Sequence, residues 1–119
     1  MNLNWNLNQE SNTLTIALEG KIDSTNVAGI EASIMELHNE HNNADINFDA
    51  KNLEYISSAG LRVLLKVRKT QKELIINNVS LDVYELFEIT GFSEIMTIHK
   101  ALREVSLENS EVIGKPPSV

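Results

Sequence analysis

The chain has 119 residues, 42% of them hydrophobic, with 17 acidic against 10 basic side chains and a formal net charge of −7. One domain with a hydrophobic core is expected at that length and composition, and the negative charge excludes nonspecific binding to nucleic acid or anionic lipid, both of which need a positive field. There is no cysteine, so neither a disulfide framework nor a thiolate metal site is available.

The opening "MNLNWNLNQE" has no basic leader and no apolar core of a signal peptide, and no apolar run reaches the length of a membrane span. A cytoplasmic location is the expectation. Leu3, Trp5 and Leu7 alternate with asparagine at strand period, and Ser11-Asn12 signals a turn. "TLTIALEG" then places Leu14, Ile16 and Leu18 on one face, so two strands joined by a short hairpin are predicted, ending at Gly20. "STNVAGIEASIMELHNEH" changes period: Val27, Ile30, Ile34 and Leu37 recur every three to four residues, with Ser24 or Thr25 as the N-cap. "ADINFDA" is predicted as a third strand, "LRVLLKVRKTQ" as a second helix and "ELIINNV" as a fourth strand. "LDVYELFEIT" is a third helix stopped by Gly91, and "EIMTIHK" a short last strand. The order β-β-α-β-α-β-α-β predicts an α/β fold, a mixed sheet with helices packed mainly on one face by right-handed crossovers. Residues 1–105 would form the domain. Residues 106–119 would form an extended or flexible tail, because Pro116 and Pro117 cannot continue a helix.

The stretch "EYISSAGLRVLL" raises the functional question. Residues 50 to 60 are predicted to form the loop between the third strand and the second helix, where ligands gather on open α/β sheets. Ser58 stands where an N-cap belongs, its hydroxyl placed to accept from the amide of Gly60 or Leu61. Glycine in the first turn sacrifices roughly 0.5–1 kcal/mol against alanine. Its expected compensation is the close approach of another backbone or a ligand, with Ala59 keeping the surface flat. Free amides and the helix dipole favour an anion there. A phosphoryl group on Ser58 would be tolerated while adding nearly two charges.

Other constellations are weaker. Arg62, Lys66, Arg68, Lys69 and Lys72 cluster, and Arg62, Lys66 and Lys69 share one helical face. Cations toward a helix C-terminus and a solvated face account for most of them; Arg62, one turn from Ser58, is placed to touch a partner or a phosphate. His38 and His41 lack a third ligand of suitable spacing, so no metal is expected. Gly-x-Ser-x-Gly is absent, and "EVIGK" has a single glycine followed by prolines, so neither a hydrolase elbow nor a phosphate loop is present. Tyr84, Phe87 and Phe92 are expected to pack in the core, and Trp5 to lie near the sheet edge.

Four stretches together, "LEGKID", "FDAKNLEYISSAGLRVLL", "LIINNVS" and "LFEITGFSEIMTI", resemble the STAS domain family over roughly residues 3 to 105. Within it they resemble the bacterial anti-sigma factor antagonists. The resemblance implies a non-enzymatic regulator without cofactor or metal. Such antagonists are phosphorylated by an anti-sigma factor that is also a serine kinase, and a PP2C-type phosphatase reverses the reaction. The dephosphorylated form binds the anti-sigma factor and frees a sigma factor. On that resemblance Ser58 is the phosphoacceptor. Asp23 is the aspartate beside the phosphorylation loop, and Asp49 the aspartate ending the third strand. Asp23, Ser24, Ser57, Ser58, Ala59, Gly60, Leu61 and Arg62 would form the partner-binding surface. One departure stands out: many antagonists carry aspartate directly before the phosphoserine, and this chain has Ser57, a second candidate hydroxyl. The competing expectation is an unphosphorylated STAS interaction or sensing module, part of a larger enzyme or transporter polypeptide.

Overall fold

The computed structural model describes residues 3–41 and 44–101. Its elements follow the predicted order: β1 Trp5–Asn8, β2 Thr13–Ile22, α1 Val27–Glu40, β3 Asp45–Ile56, α2 Ser58–Arg68, β4 Ile75–Val79, α3 Leu81–Ile89 and β5 Thr97–Lys100, with a 3-10 turn at Phe92–Glu94. The strands lie side by side in sequence order. β1 is antiparallel to β2, and the ladders from β2 through β5 are parallel. Each helical crossover therefore steps one strand in the same direction, and a constant right hand places α1, α2 and α3 on one face.

Register explains why that face is the core. Trp5, Ile16, Phe48, Ile76 and Ile98 stand opposite one another as one row across all five strands, and Ile16, Phe48 and Ile76 are fully buried. The neighbouring row, Asn6, Thr15, Asn47, Ile75 and Thr97, points to the uncovered face. It is polar apart from Ile75, as the period of two requires of a sheet packed on one side. At the sheet edge the Trp5 ring rests against His41, which caps α1, with ring centroids 5.2 Å apart.

Two expectations are corrected. Residues 50–56 are not loop: β3 continues to Ile56, still paired with β2. Its register with β2 shifts twice, between Ala17 and Glu19 and again between Gly20 and Lys21. Bulges of this kind bend and twist a strand, and here they bring Leu53 and Ile56 inward. The N-cap of α1 is Asn26, not Ser24 or Thr25. Gly91 does adopt the left-handed conformation, φ 81°, that ends α3. The expectation for residues 106–119 lies outside the described residues.

Candidate functional site

The end of β3 fixes the geometry of the serine pair. Ile56 pairs with Ile22, and the Ser57 amide donates to the Ile22 carbonyl at 2.8 Å, one step past the ladder. Ser57 is extended (φ −84°, ψ 174°), and α2 begins immediately after it. Its hydroxyl accepts from the Gly60 amide at 3.4 Å, and its carbonyl accepts from the Leu61 amide at 2.9 Å. Ser57 is thus the N-cap, which corrects the assignment of that role to Ser58. The physical reason is the longer strand, which leaves a single residue between sheet and helix.

Ser58 becomes the first helical residue and is exposed. The two hydroxyls differ accordingly: one is half-buried and engaged with the backbone, the other faces outward. Replacing Ser57 with alanine is expected to cost about 1 kcal/mol of stability, and the same change at Ser58 less than about 0.5 kcal/mol. Urea unfolding of the two variants checks this, and a larger loss at Ser58 would contradict the capping assignment.

Gly60 is buried, and a Cβ built on it would lie 2.6 Å from Cγ1 of Ile56 and 3.0 Å from Cγ2 of Ile22. The close approach expected at this glycine is real, but its partners are two core isoleucines. Leu61, 3% exposed, also points inward. Gly60 and Leu61 therefore offer no side-chain surface for docking, contrary to their place in the expected partner-binding set. Ser58, Ser24 and Arg62 are exposed, while Ser57, Ala59 and Asp23 are half-buried.

Asp23 follows Ile22 directly, so the β2–β3 pairing sets it beside Ser57. One carboxylate oxygen accepts from both the amide and the hydroxyl of Thr25. Those two bonds hold the Asp23 carboxyl below the ordinary carboxylate range, the hydroxyl bond contributing most and Lys21 adding a smaller pull. Asn26 completes the loop. Its side-chain carbonyl accepts from the Asp23 amide at 3.0 Å, and its side-chain amide donates to the Lys21 carbonyl at 2.8 Å. The Asp23 carbonyl takes the Val27 amide at 2.9 Å. Sequence reasoning missed Asn26; the signal was an Asp and an Asn spaced three apart before a helix, a pattern suited to reciprocal side-chain-to-backbone bonds.

Asp49 belongs elsewhere. It pairs with Ala17 and Asn77 inside the sheet, and the segment from Asp49 to Ile56 spans about 20 Å at strand rise. Its carboxylate accepts from the Lys51 amide and the Asn78 side-chain amide, both at 3.0 Å. Asn78 itself is left-handed, φ 60°. Asp49 therefore shapes the point where β3 leaves β4 and neither ends the strand nor meets Ser58. Two members of the basic cluster are also structural. Lys66 reaches Glu31 on α1 at 2.8 Å, and Arg68 donates to the Ile95 carbonyl at 3.0 Å. Arg62 shares the exposed surface with Ser58.

A one-sided mixed sheet that presents a serine at a helix start, beside a hydrogen-bonded loop carrying Asp23, defines a small α/β domain with a polar surface around that serine. Residues 4–105 match the STAS domain family model, and the chain belongs to that family. Among its relatives, the anti-sigma-B factor antagonist of Bacillus subtilis is 28% identical over 102 residues, covering 82% of this chain and 92% of its own. BtrV of Bordetella bronchiseptica is 36% identical over 89 residues, covering 71% of this chain and 76% of its own. The fold is shared with an anti-sigma factor antagonist from Mycobacterium paratuberculosis, TM-score 0.69 at 13% identity, covering 87% of this chain and 90% of that one. It is shared too with the unphosphorylated form of the antagonist SpoIIAA, TM-score 0.60 at 18% identity, covering 90% and 96%. Among the described residues no helix is long and apolar enough to cross a membrane.

Proposed function

We propose that the protein is an anti-sigma factor antagonist whose binding to its anti-sigma factor is switched by phosphorylation of Ser58. The family and the antagonists among its relatives supply the class of function. The observation that carries the switch is the division of labour between adjacent serines. Ser57 is committed to the helix cap, while the Ser58 hydroxyl stands exposed in the first turn of α2.

A phosphoryl group on Ser58 would sit at the positive end of the α2 dipole, so the fold tolerates it. The same group places nearly two negative charges beside the Asp23 loop. Docking of the anti-sigma factor is then opposed by repulsion and by the cost of desolvating the phosphate. In the dephosphorylated state the surface of Asp23, Ser24, Ser57, Ser58, Ala59 and Arg62 binds the anti-sigma factor, and a sigma factor is released. The anti-sigma factor is itself the serine kinase, and a PP2C-type phosphatase resets the switch; the protein is a regulator and not an enzyme. Ser57 fits this scheme. Serine and aspartate cap helices about equally well, so serine retains the cap and leaves the position before Ser58 uncharged.

The test compares wild type, Ser58→Ala and Ser58→Asp as baits in native cell extract, with the captured kinase identified by mass spectrometry and its affinity then measured. Wild type and Ser58→Ala are expected to bind an ATP-dependent serine kinase, and only wild type to be phosphorylated by it. Ser58→Asp should bind at least about tenfold more weakly, a difference of about 1.4 kcal/mol. Equal binding by all three would identify a constitutive docking module instead, and phosphate mapped to Ser57 would overturn the assignment of the switch.

A further inference from the structure

We propose that the outer face of α3 is a second docking surface, made for a basic amphipathic helix of a partner protein. α3 buries Val83 and Phe87 against the sheet, with Tyr84 and Leu86 half-buried at its flanks. The opposite side carries Leu81, 57% exposed, and Ile89, 82% exposed, and Ile95 follows just beyond at 43%. Single exposed aliphatics are ordinary on any protein. Here, however, three of the five exposed large hydrophobics among the described residues fall between Leu81 and Ile95.

Charge identifies the occupant. Asp82, Glu85, Glu88 and Glu94 are all exposed in this segment, and it contains no lysine or arginine. Leu81, Glu85, Glu88 and Ile89 fall on one helical side by their spacing. The last turn of α3 has no basic residue, and Glu88 lies there, at the end of the helix where a negative charge is disfavoured. A partner helix with leucine-like side chains along its centre and lysine or arginine on its flanks would cover the aliphatics. It would also set cations beside Glu88, which is in no ion pair among the described residues: Lys100 lies instead over the Tyr84 ring, 4.4 Å from its centroid, and Arg68 donates to the Ile95 carbonyl. The alternatives match less well. The exposed basic face of α2, Arg62, Lys66 and Lys69, carries no exposed large hydrophobic, and a second copy brings a further net charge of −7. The sequence from Leu102 to Val119 has three glutamates against one arginine and one lysine, so its charge has the wrong sign. Anionic lipid would be repelled. The proposal does not rest on the Ser58 reading, because α3 carries no residue of that site.

The test is an NMR titration of the isotope-labelled full chain with two synthetic helical peptides. Both have a leucine stripe, flanked in one by lysines and in the other by glutamates. The lysine peptide is expected to shift amides between Leu81 and Ile95, and the glutamate peptide to leave them unmoved. Ile89→Ser and Glu88→Lys should each weaken the lysine peptide by about tenfold, a difference readable in affinity. Glu10→Lys, an equal charge reversal on the β1–β2 hairpin, should leave binding unchanged. The proposal fails if the shifts map away from α3, if Glu10→Lys acts as strongly as Glu88→Lys, or if Ile89→Ser binds like wild type. It fails also if the α3 signals move with protein concentration alone, which would assign the face to a second copy.

Discussion

Gly60→Val is expected to destabilise the domain by about 3 kcal/mol, and Gly60→Ala by about 1–2 kcal/mol, through overpacking at the junction of α2 with the sheet. A Cβ at this position would stand 2.6 Å and 3.1 Å from Cγ1 and Cδ1 of Ile56, and 3.0 Å from Cγ2 of Ile22. Both isoleucines are nearly inaccessible, at 2% and 3% exposure. Their branched side chains have few alternative rotamers, and close-packed neighbours block those. Alanine recovers at most about 0.5–1 kcal/mol of helix preference, and less than that in a first turn, so the clash decides the sign. The alternative to compressing the isoleucines is to move the start of α2 outward. That would carry Ser57 and Ser58 with it, so the same variants should alter phosphorylation of Ser58 as well as stability. Urea unfolding measures the first effect and phosphopeptide mapping the second. A Gly60→Ala protein as stable as wild type would mean that the glycine is present for some reason other than packing.

Element order was legible because the chain changes hydrophobic period cleanly. Leu14, Ile16 and Leu18 alternate, whereas Ile30, Ile34 and Leu37 recur at helical spacing. The extent of β3 was not. Its second half, "KNLEYI", breaks the alternation because two register shifts put consecutive residues, Lys51 with Asn52 and Glu54 with Tyr55, on the exposed side. A bulged strand read one residue at a time resembles a loop. That error displaced the cap by one residue and gave Ser58 the capping role that Ser57 fills. Gly60 illustrates the opposite case. Its presence in a helix signalled a close approach, but only the register of Ile22 with Ile56 identifies what approaches. Long-range pairing likewise sends Asp49 into the sheet and brings Asp23 to the serine pair, although in sequence Asp49 is much the nearer of the two to Ser58.

Phe48→Ala should be the most damaging single substitution, with an expected loss of about 3–5 kcal/mol. Phe48 is fully buried at the centre of the row that runs from Trp5 through Ile16 to Ile76 and Ile98. Truncation removes the ring from the buried layer between the sheet and its helices. Single domains have about 5–15 kcal/mol of stability in all, so the variant should be close to its unfolding threshold. Phe48→Leu keeps most of the volume and is expected to cost under about 1.5 kcal/mol. Ile75→Ala supplies the comparison within the same sheet. Ile75 stands beside Asn47 and Thr97 on the uncovered face and is only half-buried. It makes fewer contacts to lose and leaves no closed cavity, so the expected cost is about 1 kcal/mol. Urea midpoints read by far-ultraviolet circular dichroism rank the three. Equal losses at Phe48 and Ile75 would show that both faces of the sheet are packed, and the one-sided architecture that places α2 and its serine at the edge of a single core would have to be abandoned.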